Sequence, residues 1–335
     1  MPKKKLPIVS VCIPVFNGES YIRECIQSVL DQDYSNYELL VVDNCSTDNT
    51  ATIVKEIEDV RINYIKNIKN IGSVENFNKC IKEARGAYFV LLPHDDLLLP
   101  NCLKQYVSKF NDKNVGFSYS SIRFVDENGD TKYSKINHIK NKTFSSEETI
   151  TDIVEYFVPI QLAMVRTEIL QRLGGFDIKY GLFCDVHLWL SIAFDGWKSS
   201  YVSEPLSCHR SHSEQGQNAF LNPDLKTLGK HWGKKLDKSF WIKNSYNYSL
   251  LKVSLFLFFE MKELGYDTSF AKKTFLNRFA RTHLRSILLA IFRLDLYVFI
   301  QEMLLFSPAI RLYGLHRVIM EYPFVILNKF LRISR

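Results

Sequence analysis

Short runs of β-branched and aliphatic residues alternate with longer segments of helical periodicity through the first hundred residues, and this alternation constrains the fold more than any other feature. The pattern is typical of a parallel sheet wound with crossover helices. We predict strands at residues 8–15, 37–43, 62–66, 87–92 and 115–121. We predict helices between them at 20–31, 48–58, 73–84 and 100–110. Together these elements make a Rossmann-like α/β sheet, mixed but mostly parallel, with helices on its faces.

The next hundred residues continue the α/β pattern with a polar turn. Asp126-Glu-Asn-Gly-Asp130 is a turn signal between two polar, aromatic runs and therefore predicts a hairpin. A loop is expected at 135–142. Helical spacing of apolar residues returns at 147–157, 166–173 and 184–195.

From about residue 222 the pattern is almost wholly helical, with large apolar side chains interrupted by isolated Arg and Lys. A chain of 335 residues exceeds the size at which a single core usually stops growing. We therefore expect two units, an α/β domain over 1–221 and a helical C-terminal extension over 222–335.

The C-terminal region is also strongly basic. Residues 226–335 carry a net charge of +12. Since the whole chain carries +7, the first 225 residues carry a net charge of −5. The segment 282–306 is apolar around most of a helix, with Arg285 and Arg293 two turns apart on one face. Such a helix either packs in a helical bundle or lies in a membrane interface with its arginines on lipid head groups. The second alternative makes an anionic membrane surface a partner of 282–335.

Cysteine usage and hydropathy bear on the compartment. The seven cysteines form no CxxC pair, which favours a reducing, cytoplasmic setting. The first residues resemble a signal peptide, but Pro7 and Pro14 interrupt the apolar run, so we interpret them as the first strand. The most apolar stretch, 244–259, contains Lys252, and no stretch reaches the roughly 18 uncharged residues of a spanning helix. The expected location is cytoplasmic, with the membrane surface as the alternative.

Polar residues follow three of the predicted strands directly. Asn17 and Gly18 follow the first strand, Asp43 ends the second, and a buried apolar strand leads into His94, Asp95 and Asp96. Ligands of doubly wound sheets collect at the carboxyl ends of the strands. We therefore expect these side chains to line a binding site.

The adjacent acids Asp95 and Asp96 suggest a metal ion. Two neighbouring carboxylates repel each other unless a cation lies between them or one is protonated, and Mg²⁺ or Mn²⁺ suits such oxygen ligands. The same ion would neutralise a diphosphate leaving group. The alternative is that the pair merely caps the helix that begins near Pro100.

Six motifs in order resemble the family 2 glycosyltransferases, the large inverting group with the A-type nucleotide-sugar fold. The resemblance covers residues 7 to about 213. The motifs are IPVFN (13–17), VDNCSTDNT (42–50), NIGSVENFN (70–78), LLPHDDLL (91–98), GGFD (174–177) followed by CDVHLWL (184–190), and PLSCHRSH (205–212).

The resemblance implies roles for single residues. It implies that Pro14, Phe16 and Asn17 line the nucleotide pocket, that Asp43 bonds to the base, and that Asn70 contacts the donor. Asp95 and Asp96 match the acidic motif that binds the metal and the diphosphate, and His212 matches a position that touches one or the other. Asp185 matches the general base that removes the acceptor proton, although an acid in a first helical turn is also favoured by the helix dipole alone. We interpret His187 and His209 as structural histidines.

Three positions depart from the family pattern. Asn44 replaces the second acid after the second strand, Pro93 and His94 stand where another acid is often found, and Cys184 replaces the Glu that commonly precedes the base. The loss of that Glu leaves the acceptor class undefined.

The sequence therefore predicts an inverting transfer of a sugar from a nucleotide diphosphate donor to a hydroxyl of a glycan or lipid-linked acceptor in bacterial surface polysaccharide assembly. UDP-sugars are the first choice of donor, ahead of dTDP- and GDP-sugars. One rival is a nucleotidyltransferase, although the loop FNGES lacks the basic, Gly-rich phosphate loop of that class. Another is an inactive module that only binds nucleotide sugars. Nucleic acid is not an expected partner, because the surplus positive charge lies among large apolar side chains.

Overall fold

The computed structural model describes residues 8–135, 138–156, 162–178 and 184–212. The expected boundary after residue 221, the helical extension 222–335 and its membrane-facing segment 282–335 lie outside the described residues. Within the four described ranges, no helix is long and apolar enough to cross a membrane.

Ten strands and seven helices are described. The strands are β1 Val9–Val15, β2 Tyr37–Asp43, β3 Ile62–Lys66, β4 Tyr88–Leu91, β5 Leu97–Leu98, β6 Val115–Val125, β7 Thr131–Lys135, β8 Lys142–Phe144, β9 Met164–Arg166 and β10 Lys198–Arg210. The helices are α1 Ile22–Leu30, α2 Thr50–Lys55, α3 Ser73–Glu83, α4 Cys102–Lys109, α5 Ser146–Tyr156, α6 Thr167–Arg172 and α7 Cys184–Phe194.

All ten strands belong to one mixed sheet, which confirms the α/β prediction. Eight strands follow each other in the order β3-β2-β1-β4-β9-β6-β10-β5, with β7 paired to β6 and β8 to β10. The pairs β1–β2, β1–β4 and β2–β3 are parallel. All seven residues of β1 are buried, as expected for a central strand covered by helices on both faces. This parallel half has the Rossmann-like arrangement predicted from the sequence.

The second half of the sheet is mostly antiparallel, and several of its strands were not predicted. Only β6–β10 is parallel there, whereas β9 pairs antiparallel with both β4 and β6. Strands β5, β8 and β9 have two or three residues each, too few to show a period of two. The long strand β10 shifts register on both sides of Pro205, so its alternation is interrupted. A proline lacks the backbone N–H that a regular ladder needs.

Most predicted elements lie within a few residues of their expected bounds, and the hairpin is present. Strands β6 and β7 pair antiparallel around the predicted turn. The Asp126 carboxylate accepts hydrogen bonds from the amides of Asn128 and Asp130, each at 3.0 Å. Gly129 adopts a φ of 89°, which favours glycine. The extended region 115–125 therefore turns back at the point that the sequence indicates.

The main core lies between the sheet and the helices α1 and α4. Helix α1 buries Ile22, Cys25, Ile26 and Val29 against it. The ring of Trp189, on the largely buried helix α7, lies 4.4 Å from the ring of Phe117 on β6. Helix α7 is thus packed against the second half of the sheet.

Candidate active site

The loops that follow β1 and β2 are fastened to each other. Asn17 has a φ of 51°, which turns its side chain towards the second loop, and its Oδ1 accepts a hydrogen bond from the amide of Thr47 at 2.9 Å. The amide of Asn17 donates to Oγ of Ser46 at 2.9 Å, and the amide of Gly18 donates to Oγ1 of Thr50 at 2.8 Å. The two loops thus form one continuous surface at the carboxyl edge of the sheet.

Asp43 lies beneath this surface. It is fully buried, and its carboxylate accepts from the amide of Ser46 at 2.7 Å and from the hydroxyl of Tyr64 at 2.5 Å. The ammonium of Lys66 lies 3.9 Å from the same carboxylate. Burial and the nearby carboxylate of Asp43 raise the pKa of the Tyr64 hydroxyl, which keeps it a donor. Asp43 is therefore already hydrogen-bonded within the protein.

Pro14 and Phe16 differ in accessibility. Pro14 is buried within β1, whereas the Phe16 ring is 44% exposed directly after that strand. Of the two, only Phe16 presents an apolar surface on which a ligand could pack.

Asn44 and Asn70 belong to an amide network. Nδ2 of Asn44 donates to Oδ1 of Asn70 at 2.9 Å and to the carbonyl of Gly72 at 3.2 Å. Oδ1 of Asn44 accepts from Nδ2 of Asn67 at 3.0 Å and from the amide of Ile71 at 2.9 Å. Asn67 also donates to Asn76 on α3. The network joins the ends of β2 and β3 to the start of α3. Asn44 both donates and accepts in it, whereas the usual acid, when ionised, could only accept.

The loop after β4 packs against the loop after β1. A Cβ added at Gly18 would lie 2.5 Å from Cγ2 of Val15 and 2.6 Å from Cδ2 of His94. Burial lowers the pKa of His94, against the opposing effect of the nearby acids. Only a glycine allows this contact, so Gly18 brings the loops after β1, β2 and β4 together.

Asp95 forms a pair with His212. Nε2 of His212 lies 3.1 Å from Oδ2 of Asp95, and both side chains are largely buried. The other oxygen of Asp95 has no hydrogen-bond partner among the described residues. The rings of Tyr21 and His212 are 4.8 Å apart, which places the pair beside the start of α1.

Asp96 has a different environment from its neighbour. It is fully buried, and its carboxylate contacts Nδ1 of His209 at 3.1 Å and accepts from the amide of Arg210 at 2.9 Å. Burial acts to lower the pKa of His209, but the charge and hydrogen bond of Asp96 outweigh it and raise that pKa. Asp96 thus fastens the end of β10 to this loop. The alternative that the acid pair caps the next helix is wrong, because α4 begins at Cys102 with Asn101 as its N-cap.

Arg210 is the buried residue that sequence reasoning missed. Its guanidinium donates to Glu24 on α1 at 2.6 Å, to the carbonyl of Asp95 at 3.0 Å and to the carbonyl of Glu127 at 3.0 Å. An arginine inside the PLSCHRSH motif is a weak signal by itself. Arg210 lies two residues before His212, a spacing that places two side chains on the same face of an extended chain.

The residues present fit a divalent ion only in part. Among the described residues, no group of three or more His, Cys, Asp and Glu is arranged to hold a metal. Asp95 and His212 together offer one carboxylate and one imidazole, both of which Mn²⁺ accepts. Ions of this kind are commonly held by one or two protein carboxylates and completed by substrate phosphates. Asp95 and His212 fit that description, whereas both oxygens of Asp96 are bonded to β10.

Asp185 lies in the first turn of α7. It is 9% exposed, and its carboxylate accepts from the amide of Val186 at 2.8 Å. Burial raises the pKa of Asp185 to about 7, against the opposing effect of these backbone hydrogen bonds. Among the described residues, no hydrogen bond joins Asp185 directly to Asp43, Asp95 or Asp96. A carboxyl with this pKa can exchange a proton near neutral pH.

The glycine-rich bend that precedes α7 is anchored on α3. Nδ2 of Asn78 donates to the carbonyl of Phe176 at 2.9 Å, and its Oδ1 accepts from the amide of Phe176 at 2.8 Å. Gly175 has a φ of 76°, and a Cβ there would lie 2.4 Å from Oδ1 of Asn78. The NIGSVENFN and GGFD motifs therefore contact each other directly, through Asn78 on one side and Gly175 and Phe176 on the other.

Comparison with known proteins agrees with this arrangement. The family model described as Glycosyl transferase family 2 matches residues 10–174. An uncharacterised glycosyltransferase of Rickettsia typhi is 30% identical over 276 residues, which are 79% of this chain and 83% of the relative. The chain belongs to glycosyl transferase family 2. Another relative, the Escherichia coli protein named UDP-Glc:alpha-D-GlcNAc-diphosphoundecaprenol beta-1,3-glucosyltransferase WfgD, is 36% identical over 121 residues, 36% of this chain and 48% of that one.

Solved structures confirm the A-type fold expected of a family 2 glycosyltransferase. S. aureus TarS in complex with UDP-GlcNAc superposes with a TM-score of 0.60 at 20% identity, covering 88% of this chain and 79% of that one. The mannosyltransferase PcManGT of Pyrobaculum calidifontis, in complex with GDP-Man and Mn²⁺, gives 0.51 at 19% identity, covering 96% and 85%. This family 2 chain is thus a glycosyltransferase with a mixed α/β fold.

Proposed function

We propose that the chain transfers a sugar with inversion from a nucleotide diphosphate donor, a UDP-sugar in the first instance, to a hydroxyl of a glycan or lipid-linked acceptor. The observation that carries this proposal is the Asp95–His212 pair, which lies where the loops after β1, β2 and β4 meet. A diphosphate at that edge would lie beside the carboxylate and the imidazole.

The donor would occupy the surface formed by the loops after β1 and β2. Phe16 offers an exposed ring for the nucleoside. Asn17 follows it in the chain and is bonded to the loop after β2, which begins at Asp43, and Asn70 is bonded to Asn44 in that same loop. Because Asp43 is fully buried, base recognition by its carboxylate requires the residues that cover it to move. Asp43 also holds the loop that carries Ser46.

Asp95 and His212 would hold the diphosphate end of the donor. When bound between them, Mn²⁺ or Mg²⁺ supplies charge that makes the diphosphate a better leaving group. Asp96 supports this pair through His209 and the amide of Arg210. We retain Asp96 as part of the metal site in this supporting role and assign direct contact to Asp95 and His212.

Asp185 is the proposed general base. It removes the proton of the acceptor hydroxyl while that oxygen attacks the anomeric carbon and the bond to the diphosphate oxygen breaks, with the electron pair leaving on the phosphate. A base with a pKa near the working pH is efficient in this step, and burial raises the pKa of Asp185 to about 7. One displacement without a carboxylate nucleophile inverts the configuration.

The biological setting is proposed from the relatives. The E. coli relative is named for a UDP-Glc donor and a diphosphoundecaprenol acceptor, and TarS is described with UDP-GlcNAc. By extension we propose bacterial surface polysaccharide assembly, in the cytoplasm or on the inner face of the membrane. Flotation with anionic vesicles should depend on Arg285 and Arg293 if 282–335 binds the membrane. An Arg285→Glu/Arg293→Glu chain that floats like the parent would argue against that contact.

A thermal-shift panel of UDP-, dTDP- and GDP-sugars with and without Mn²⁺ tests the donor. A ligand that binds only the folded state raises Tm by an amount that grows with the logarithm of its concentration relative to Kd, so we expect a shift with a UDP-sugar that requires Mn²⁺. Asp185→Asn should keep this shift and abolish transfer. Normal turnover by Asp185→Asn rejects the base, and a donor shift without any transfer by the parent chain, across glycan and lipid-linked acceptors, favours the inactive binding module.

A further inference from the structure

Arg210 joins four separate segments of the chain at the proposed site. Its side chain is 1% exposed at the end of β10. It contacts Glu24 on α1, the backbone carbonyl of Asp95 after β4, and the carbonyl of Glu127 in the hairpin turn. Its own amide donates to Asp96.

A buried guanidinium is costly unless its donors are bonded. Each nitrogen of the Arg210 guanidinium donates to a different acceptor: Nε to the carbonyl of Asp95, Nη1 to the carbonyl of Glu127, and Nη2 to the carboxylate of Glu24. A lysine presents a single ammonium and cannot reproduce that fork. The positions of the three acceptors therefore depend on the arginine in particular and not on positive charge alone.

Arg210 contacts Asp95 directly and contacts His212 through the ring of Tyr21. Nε of Arg210 fixes the backbone carbonyl of Asp95 itself. On the other side, the guanidinium carbon lies 4.9 Å from the Tyr21 ring centre, and the same ring lies 4.8 Å from the His212 ring. The Tyr21 ring therefore contacts both Arg210 and His212.

We propose that Arg210 is a positioning residue that sets the separation and orientation of Asp95 and His212 for a divalent ion and a diphosphate. This inference rests on the proposed function, because it assumes that Asp95 and His212 bind the metal ion. Glu24 takes part as the carboxylate that orients the guanidinium from α1. Neither Arg210 nor Glu24 touches the reacting atoms in this proposal.

The test is isothermal titration of Mn²⁺ into the full chain in the presence of saturating UDP. Loss of a partner that orients a metal ligand typically weakens metal affinity by about 10- to 100-fold. We expect Arg210→Lys to raise the Kd for Mn²⁺ at least tenfold, and Glu24→Gln to raise it less, because Gln keeps a hydrogen bond without the charge. Arg23→Lys is the matched control: Arg23 is the neighbouring position on α1 and pairs with Glu56 at the surface, so its Kd should equal that of the parent.

Thermal unfolding of each variant separates positioning from mere support of the fold. An Arg210→Lys chain that melts at a lower temperature but binds Mn²⁺ with the parent Kd overturns the inference. If Arg210→Lys does not fold, Glu24→Gln decides, and a parent-like Kd in that variant overturns it. Asp95→Asn should lose Mn²⁺ binding. If the parent binds no Mn²⁺ with UDP, or Asp95→Asn binds it normally, the proposed metal site fails first, and the inference about Arg210 fails with it.

Discussion

His212 Nε2 lies 3.1 Å from Oδ2 of Asp95, although 117 positions separate the two residues. The next residue, Asp96, is instead bonded to His209 and to the amide of Arg210. Two adjacent acids that look equivalent in the sequence thus have different partners. Asp95 contacts a histidine just beyond the end of β10, whereas Asp96 bonds the loop after β4 to the last residues of β10.

The different environments of the two acids predict different results for the same substitution. Asp96→Asn breaks a buried charge pair, which should lower the free energy of unfolding by about 3 kcal/mol. Asp95→Asn should change it by about 1 kcal/mol or less and abolish the Mn²⁺-dependent thermal shift with UDP. Urea denaturation of both variants checks the stabilities. A larger loss of stability in Asp95→Asn than in Asp96→Asn would contradict the assignment.

The raised pKa of Asp185 predicts the pH dependence of transfer. A general base must be ionised, so kcat/KM should rise with pH and level off above about pH 7. The profile should be recorded with donor and metal saturating, so that their binding does not shape it. A profile that is flat from about pH 5 upwards would mean that Asp185 ionises in the ordinary range of an aspartate or is not the base.

The same pKa predicts how Asp185 affects stability. Its folded value of about 7 lies above its ordinary value of 3.8, so the folded state holds the proton more tightly. The contribution to stability is therefore fully present below about pH 4 and is lost as pH rises through 7. The loss is on the order of 4 kcal/mol at most. Asp185→Asn, which avoids it, should gain stability over the parent at pH 8 but not at pH 4 in urea denaturation. An equal difference at both pH values would contradict the prediction.

Gly175 and Gly174 form a matched pair for testing the contact between α3 and the bend before α7. Gly175→Ala places a Cβ 2.4 Å from Asn78 Oδ1 at a φ of 76°. Gly174→Ala meets nothing within 4 Å, so only its φ of 81° opposes the change. We expect about 1 kcal/mol of destabilisation for Gly174→Ala, and about 2 kcal/mol more for Gly175→Ala. Equal losses of free energy in chemical denaturation would show that the Asn78 contact is unimportant.

Asn44 tests whether the departure from the family pattern is structural. Asn44→Asp restores the usual acid but turns two donated hydrogen bonds into repulsive contacts with Oδ1 of Asn70 and the carbonyl of Gly72. We expect a loss of about 2 kcal/mol in the free energy of unfolding. The combined change Asn44→Asp/Asn70→Ala, which removes one of the facing oxygens, should recover part of that loss. No recovery would count against the network as the cause.

Much of the parallel half of the fold could be predicted because its local pattern and its packing agree. Strands β2 and β3 have the predicted bounds, since each is a β-branched or aliphatic run that ends at a polar loop. The polar residues after β1, β2 and β4, among them Asp43, Asp95 and Asp96, were predicted at one edge of the sheet, and the parallel pairing of these strands puts them there. The A-type fold and family 2 membership followed from the order of those motifs and are confirmed.

The second half could not be predicted because its strands depend on partners that are distant in sequence. Strand β5 has two residues and exists only because it pairs with Ser207 and Cys208 on β10. The different partners of Asp95 and Asp96, and the burial of Arg210, also depend on β10. A local pattern contains no information about which of two adjacent acids faces a strand more than a hundred residues away.

The position of β10 between β6 and β5 has a consequence for biosynthesis. A nascent chain leaves the ribosome N-terminus first, and domains generally fold as units. The loop with the two acids emerges early, but His209 and the amide of Arg210, which hold Asp96, are made about a hundred residues later. Translation must therefore pass residue 210 before the carboxylate of Asp96 can form its final contacts, so the local structure of this loop is completed only after almost the whole sheet has been synthesised.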